Sequence, residues 1–142
     1  MANRRAARDL LMRLIYQMSV TDDWSEEERA LFLKENTDDP HTDFGLDDDA
    51  DAAYFDAVFG AAQANLPEID ARINEASDNW KIGRITKVDL AIIRLATAEI
   101  LYADDIPVSV SINEAVDLAR KYGSEKSYEF VNGVLGKIAG PS

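Results

Sequence analysis

The chain contains no cysteine and only one histidine among its 142 residues. Without cysteine there is no disulfide and no thiolate to serve as nucleophile or soft metal ligand, which suits a reducing cytoplasm. The single histidine, His41, lies in an acidic stretch with no second histidine or cysteine to share a metal ion. The seven glycines are scattered, and they form no phosphate-binding loop, dinucleotide fingerprint or G-x-S-x-G elbow. With no histidine beside a candidate nucleophile, acyl transfer has no apparatus. These absences point to a protein that works by binding rather than an enzyme, and to no cofactor.

Long apolar runs are also missing. The oiliest stretch, Leu90 to Ala103, is interrupted by Arg94 and Glu99 and is too short to cross a bilayer. The N-terminus is basic, but its apolar residues are spaced rather than continuous, so no signal peptide is expected. A soluble cytoplasmic protein of one domain, without membrane contact, is the expectation.

Negative charge is plentiful but unevenly placed. The net charge is −12, from 27 acidic and 15 basic residues. Residues 21–57 carry 14 of the acids and only two bases, Arg29 and Lys34, which leaves 13 acids and 13 bases elsewhere. Outside that segment the chain is neutral, so its overall acidity does not exclude an anionic partner. Asp47-Asp48-Asp49-Ala50-Asp51 lacks the glycine and the closing glutamate of a calcium loop. No metal is expected there, only a solvated acidic loop over residues 36–49.

Apolar spacing is helical throughout, and no segment alternates like a strand. Residues 4–18 place Ala7, Leu10, Leu11, Leu14, Ile15 and Met18 on one stripe. Ser25 can cap a second helix, and Pro67 breaks a third from a fourth. Thr86 can cap a central helix from Lys87 to about Asp104. About seven helices in two small bundles are predicted, an all-α fold divided near residues 79–80. Trp80 is expected in or beside the core, with Arg94 and Glu99 satisfied at the edge of the central helix.

The segment from Asp105 to Lys137 reads as a helical hairpin. Ser111-Ile112-Asn113-Glu114 fits a capping box, Gly123 a left-handed stop, and Ser124 a cap for the last helix. Phe130, Val131, Val134, Leu135 and Ile138 form its apolar stripe. Gly133 within that stripe suggests a close backbone approach, and Asn113 and Asn132 read as buried amides.

On the first helix, Tyr16 lies opposite the apolar stripe, beside Met12, Arg5 and Arg13. An exposed Met12–Tyr16 pair rimmed by arginine suits a protein contact. Arg4, Arg5 and Arg8 could neutralise phosphates. A plain solvated face carries equal weight on these grounds.

The strings R-R-A-A-R-D-L-L-M-R-L-I-Y-Q, V-D-L-A-I-I-R-L-A-T-A-E-I-L-Y and D-I-P-V-S-V-S-I-N-E-A-V-D-L-A-R-K-Y-G, with F-V-N-G-V-L, together resemble the NusB family of transcription antitermination factors. The resemblance implies an RNA-binding adaptor that pairs with a small-subunit ribosomal protein, called NusE in this role. It implies binding to boxA-type single-stranded RNA within the RNA polymerase antitermination complex, in support of processive transcription of ribosomal RNA operons. By position, Arg4, Arg5, Arg8 and Phe130 look like RNA-facing residues, with Lys121 and Lys126 added on charge. Tyr16 and Asp89 fall where the family touches the ribosomal protein. Asn3 and Ala6 stand where many members carry further bases, which implies weaker RNA affinity. Some members self-associate through the partner-binding face, so a homodimer is a further state the resemblance allows. A similar helical domain precedes the catalytic domain of some ribosomal RNA cytosine methyltransferases. No S-adenosylmethionine-binding βαβ pattern is present here, and methyl transfer is not expected.

Overall fold

The computed structural model describes residues 3–37, 46, 48–78 and 82–140. Among these, seven α-helices and one short 3-10 turn form and no strand does, an all-α fold. The helices are α1 (Arg4–Thr21), α2 (Glu26–Thr37), α3 (Asp49–Ala64), α4 (Leu66–Ala76), α5 (Lys87–Tyr102), α6 (Val108–Tyr122) and α7 (Ser127–Ala139), with the 3-10 turn at Ile82–Arg84. His41, Trp80 and most of the acidic loop lie outside the described residues.

Local chemistry accounts for most helix starts. Asn3 accepts the Ala6 N–H at 3.0 Å, Ser25 the Glu28 N–H at 3.3 Å, and Thr86 the Asp89 N–H at 3.3 Å. Each satisfies a donor that the first helical turn leaves orphaned. Glu26, Glu27 and Glu28 stand in the positive first turn of α2. Pro67 occupies the first turn of α4, where its missing N–H costs nothing.

Helix α5 is the axis of the fold. Every residue from Asp89 to Glu99 is buried, because α1, α3, α4, α6 and α7 all pack around it. The six apolar residues predicted on the α1 stripe are buried against it in one continuous core. Helix α4 meets α7 as well as α5, so neighbours of α5 come from both sides of the predicted division near residues 79–80.

The hairpin departs from its sequence reading in several places. Helix α6 begins at Val108, directly after Pro107, so Ser111 is inside the helix rather than its cap. Its hydroxyl donates instead to the buried Glu99 carboxylate. Gly123 has φ −88° and ψ −175°, extended rather than left-handed. Ser124 caps nothing: its N–H donates to the Ser127 hydroxyl at 2.9 Å, and α7 starts without a side-chain cap. Asn113 and Asn132 are exposed rather than buried, and a methyl group at Gly133 would meet nothing within 4 Å. Arg94 and Glu99 are satisfied as expected, Arg94 by Asp70 and Ser19 and Glu99 by Arg8, Tyr54 and Ser111, and both are buried.

Gly123 is needed for space. A Cβ there would sit 2.5 Å from the Ser127 Cβ and 2.7 Å from the Ala119 carbonyl oxygen, and neither can move without shifting a helix end. Gly123→Ala is expected to destabilise the protein by about 1–3 kcal/mol, as other overpacked sites do. A lower urea midpoint at unchanged slope would show it; an unshifted midpoint would contradict the steric account.

Candidate functional site

The N-terminal half of α1 is held by a buried polar cluster. The Glu99 carboxylate accepts from Arg8 Nε at 2.8 Å and Arg8 Nη2 at 3.3 Å. It also accepts from the Tyr54 hydroxyl at 2.5 Å and the Ser111 hydroxyl at 2.8 Å. Four helices, α1, α3, α5 and α6, therefore meet at one anion. Burial works against the charge of Arg8, but the Glu99 hydrogen bond and the negative charge around it more than offset this and raise its pKa. Burial, with the Glu99 charge adding to it, pushes the Tyr54 phenol far above its usual value, so it remains a donor.

Arg8, expected to face RNA, is thus only 3% exposed, with Nε and Nη2 both engaged by Glu99. The reason is its partner: a carboxylate inside an apolar helix must be neutralised locally, and Arg8 is the cation within reach. Met12, expected beside Tyr16 on the surface, is likewise 3% exposed. Packing between α1 and its neighbours extends the buried face further round the helix than the apolar stripe alone indicates.

The other predicted cations stand nearer the surface, and most have carboxylate neighbours. The Arg4 guanidinium lies 4.4 Å from the Tyr54 ring centroid, in cation–π range, with Nε 3.8 Å from Asp51. Arg5 donates to Glu114 at 3.0 Å and Asp117 at 2.5 Å on α6, and the Glu114 hydrogen bond leads the rise in its pKa. Lys121 donates to Asp9 at 2.8 Å, which raises the lysine pKa; the Tyr122 hydroxyl takes the other Asp9 oxygen at 2.7 Å. Arg5, Asp9, Glu114, Asp117 and Lys121 line a cleft of about 410 Å³ between α1 and α6. Lys126 is exposed at the start of α7. Phe130 is half-buried and packed on the core.

Of the expected protein-contact residues, Tyr16 is 39% exposed. Val20, one turn further along α1, is more exposed still and was not singled out from the sequence. Its i+4 spacing from Tyr16 is the signal that could have found it. Asp89 is mostly buried in the first turn of α5, and its Oδ1 has no hydrogen-bond partner among the described residues. Sequence reasoning also missed Asp9, Asp51, Tyr54, Glu114 and Asp117. No group that could hold a metal ion occurs among the described residues, and no helix among them is long and apolar enough to cross a membrane.

The NusB family model matches residues 5–140. The transcription antitermination protein NusB of Natranaerobius thermophilus is 40% identical over 139 residues, covering 96% of this chain and 94% of its own. That of Acetivibrio thermocellus is 43% identical over 135 residues, covering 95% and 87%. Among solved structures, T. maritima NusB superposes with a TM-score of 0.81 at 30% identity, over 98% of this chain and 92% of its own. A crystal structure of the antitermination factors NusB and NusE with double-stranded RNA gives 0.80 at 25% identity, over 96% and 95%. The fold and the sequence are thus shared along nearly the whole chain, which belongs to the NusB family.

Proposed function

We propose that this chain is a transcription antitermination factor that pairs with a NusE-type small-subunit ribosomal protein and binds boxA-type single-stranded RNA. In that role it supports processive transcription of ribosomal RNA operons in the cytoplasm, by binding rather than catalysis. The full-length match to NusB proteins carries the reading. Arg4, Arg5, Lys121 and Lys126 supply cations for the RNA backbone, and Phe130 an aromatic edge for a base. Tyr16 serves the ribosomal protein, since an exposed aromatic suits a contact completed by another chain; the case for Asp89, whose Oδ1 is buried, rests on the family resemblance alone. Arg8 and Met12 act from inside, by holding α1 in place.

With a net charge of −12, affinity for RNA alone is expected to be weak and salt-sensitive. Anisotropy of a labelled boxA-type oligonucleotide, titrated with and without the ribosomal protein, tests the reading. Tighter binding in its presence is expected; unchanged binding by folded protein at low salt would overturn it. Tyr16→Ala is expected to weaken binding of the ribosomal protein by about 1–3 kcal/mol, as loss of an interface aromatic does, while leaving the melting temperature nearly unchanged. Undiminished binding would remove Tyr16 from the interface.

A further inference from the structure

Arg5 is the most exposed arginine of the α1 N-terminus, with two-thirds of its side chain accessible, yet it is already occupied. Its Nε and Nη2 reach separate carboxylates, Glu114 and Asp117. These stand three residues apart on α6, the spacing that brings side chains onto one helix face, so one guanidinium spans both. Carboxylates and phosphates offer a guanidinium the same paired oxygens. The two acids therefore hold Arg5 in the way an RNA phosphate would.

We propose that Glu114 and Asp117 are affinity-setting residues of the RNA surface: they occupy Arg5 in the free protein, and RNA must displace them to reach it. The proposal rests on the RNA-binding reading above. A comparison within the same cleft supports it. Asp9, the partner of Lys121, is nearly buried and also bonded to Tyr122, which makes it part of the framework. The side chains of Glu114 and Asp117 are 22% and 48% exposed, so they can swing into water when Arg5 leaves. An exposed ion pair of this kind is weak enough for a polyanion to break. Breaking the Arg5 ion pairs costs the same whichever strand arrives, so the two acids lower affinity for any strand.

Binding of a boxA-type oligonucleotide and of a scrambled strand to the full chain, with the ribosomal protein present, tests this. The wild type is compared with Glu114→Gln/Asp117→Asn from about 50 to 200 mM salt. The double variant is expected to bind both strands about three- to tenfold tighter at low salt, with a log–log salt slope steeper by about 0.7, because in the wild type the freed carboxylates take up cations that offset roughly one phosphate's release. Adding Arg5→Ala to the double variant is expected to abolish the gain. Equal or weaker binding by the folded double variant, or a gain that survives Arg5→Ala, overturns the proposal. Should the double variant fold poorly, Glu114→Gln alone is expected to show a smaller gain of the same sign, and its absence also counts against the proposal. If the wild type binds RNA and no variant gains, this inference alone fails; if no form binds RNA, the functional reading fails with it.

Discussion

Replacing Glu99 with alanine is expected to destabilise the protein by about 3–5 kcal/mol, the range seen when one partner of a buried ion pair is removed. For a chain of this length the melting temperature falls by roughly 10 °C or more. The deletion leaves the Arg8 guanidinium charged and buried, and it orphans the Tyr54 and Ser111 hydroxyls. Glu99→Gln keeps the shape but not the charge, and should recover only part of the loss. Replacing the cluster together (Arg8→Met, Tyr54→Phe, Ser111→Ala, Glu99→Leu) should bring stability back toward the wild type, because no polar group is then left unpaired. A loss below about 1 kcal/mol for Glu99→Ala would mean that water reaches the cluster.

Alkaline pH offers a second readout. The Tyr54 pKa lies above its ordinary value, so the folded state holds this proton more tightly than the unfolded chain. The stabilisation is complete below about pH 10, the unfolded tyrosine value, and is lost as pH rises beyond it. Wild type minus Tyr54→Phe should therefore show a stability difference that is flat at neutral pH and shrinks above about pH 10. A constant difference would detach Tyr54 from the linkage.

Arg94→Ala is expected to cost about 2–4 kcal/mol, and Arg94→Lys about half of that. Arg94 grips Asp70 on α4 with two parallel bonds of 2.9 and 2.8 Å. It also donates to the Ser19 hydroxyl on α1 at 2.9 Å, so one planar group ties three helices together. Lysine supplies the charge but not the fork. Alanine also leaves a void against Trp24, whose ring lies 5.9 Å from the guanidinium carbon. Arg94→Lys indistinguishable from wild type in urea would show that only charge matters at this site.

Glu99 and Arg94 were visible in the sequence as charges inside an oily helix, and that alone implies they are paired. Their partners were not visible. Arg8 is 91 residues from Glu99, Tyr54 is 45 away, and Asp70 is 24 from Arg94. The same holds for Arg5, whose carboxylates lie more than 100 residues on. Ser111 shows the limit most clearly: S-x-x-E is a sound capping pattern, but Pro107 started the helix earlier and Glu99 needed the hydroxyl.

Helix content, the stripe from Ala7 to Met18, the caps at Ser25 and Thr86, and the family resemblance were all decided by the sequence itself. Each depends on residues within a turn or two of one another, where backbone geometry fixes which side chains meet. Only the tertiary structure decided which of the many charged side chains are free. Arg8 became a buried strut, Arg5 a cation held by acids, Lys121 a partner of Asp9, and Met12 part of the core. Charge pairing and burial depend on the distance between helices far apart in the chain, and no local spacing encodes that distance.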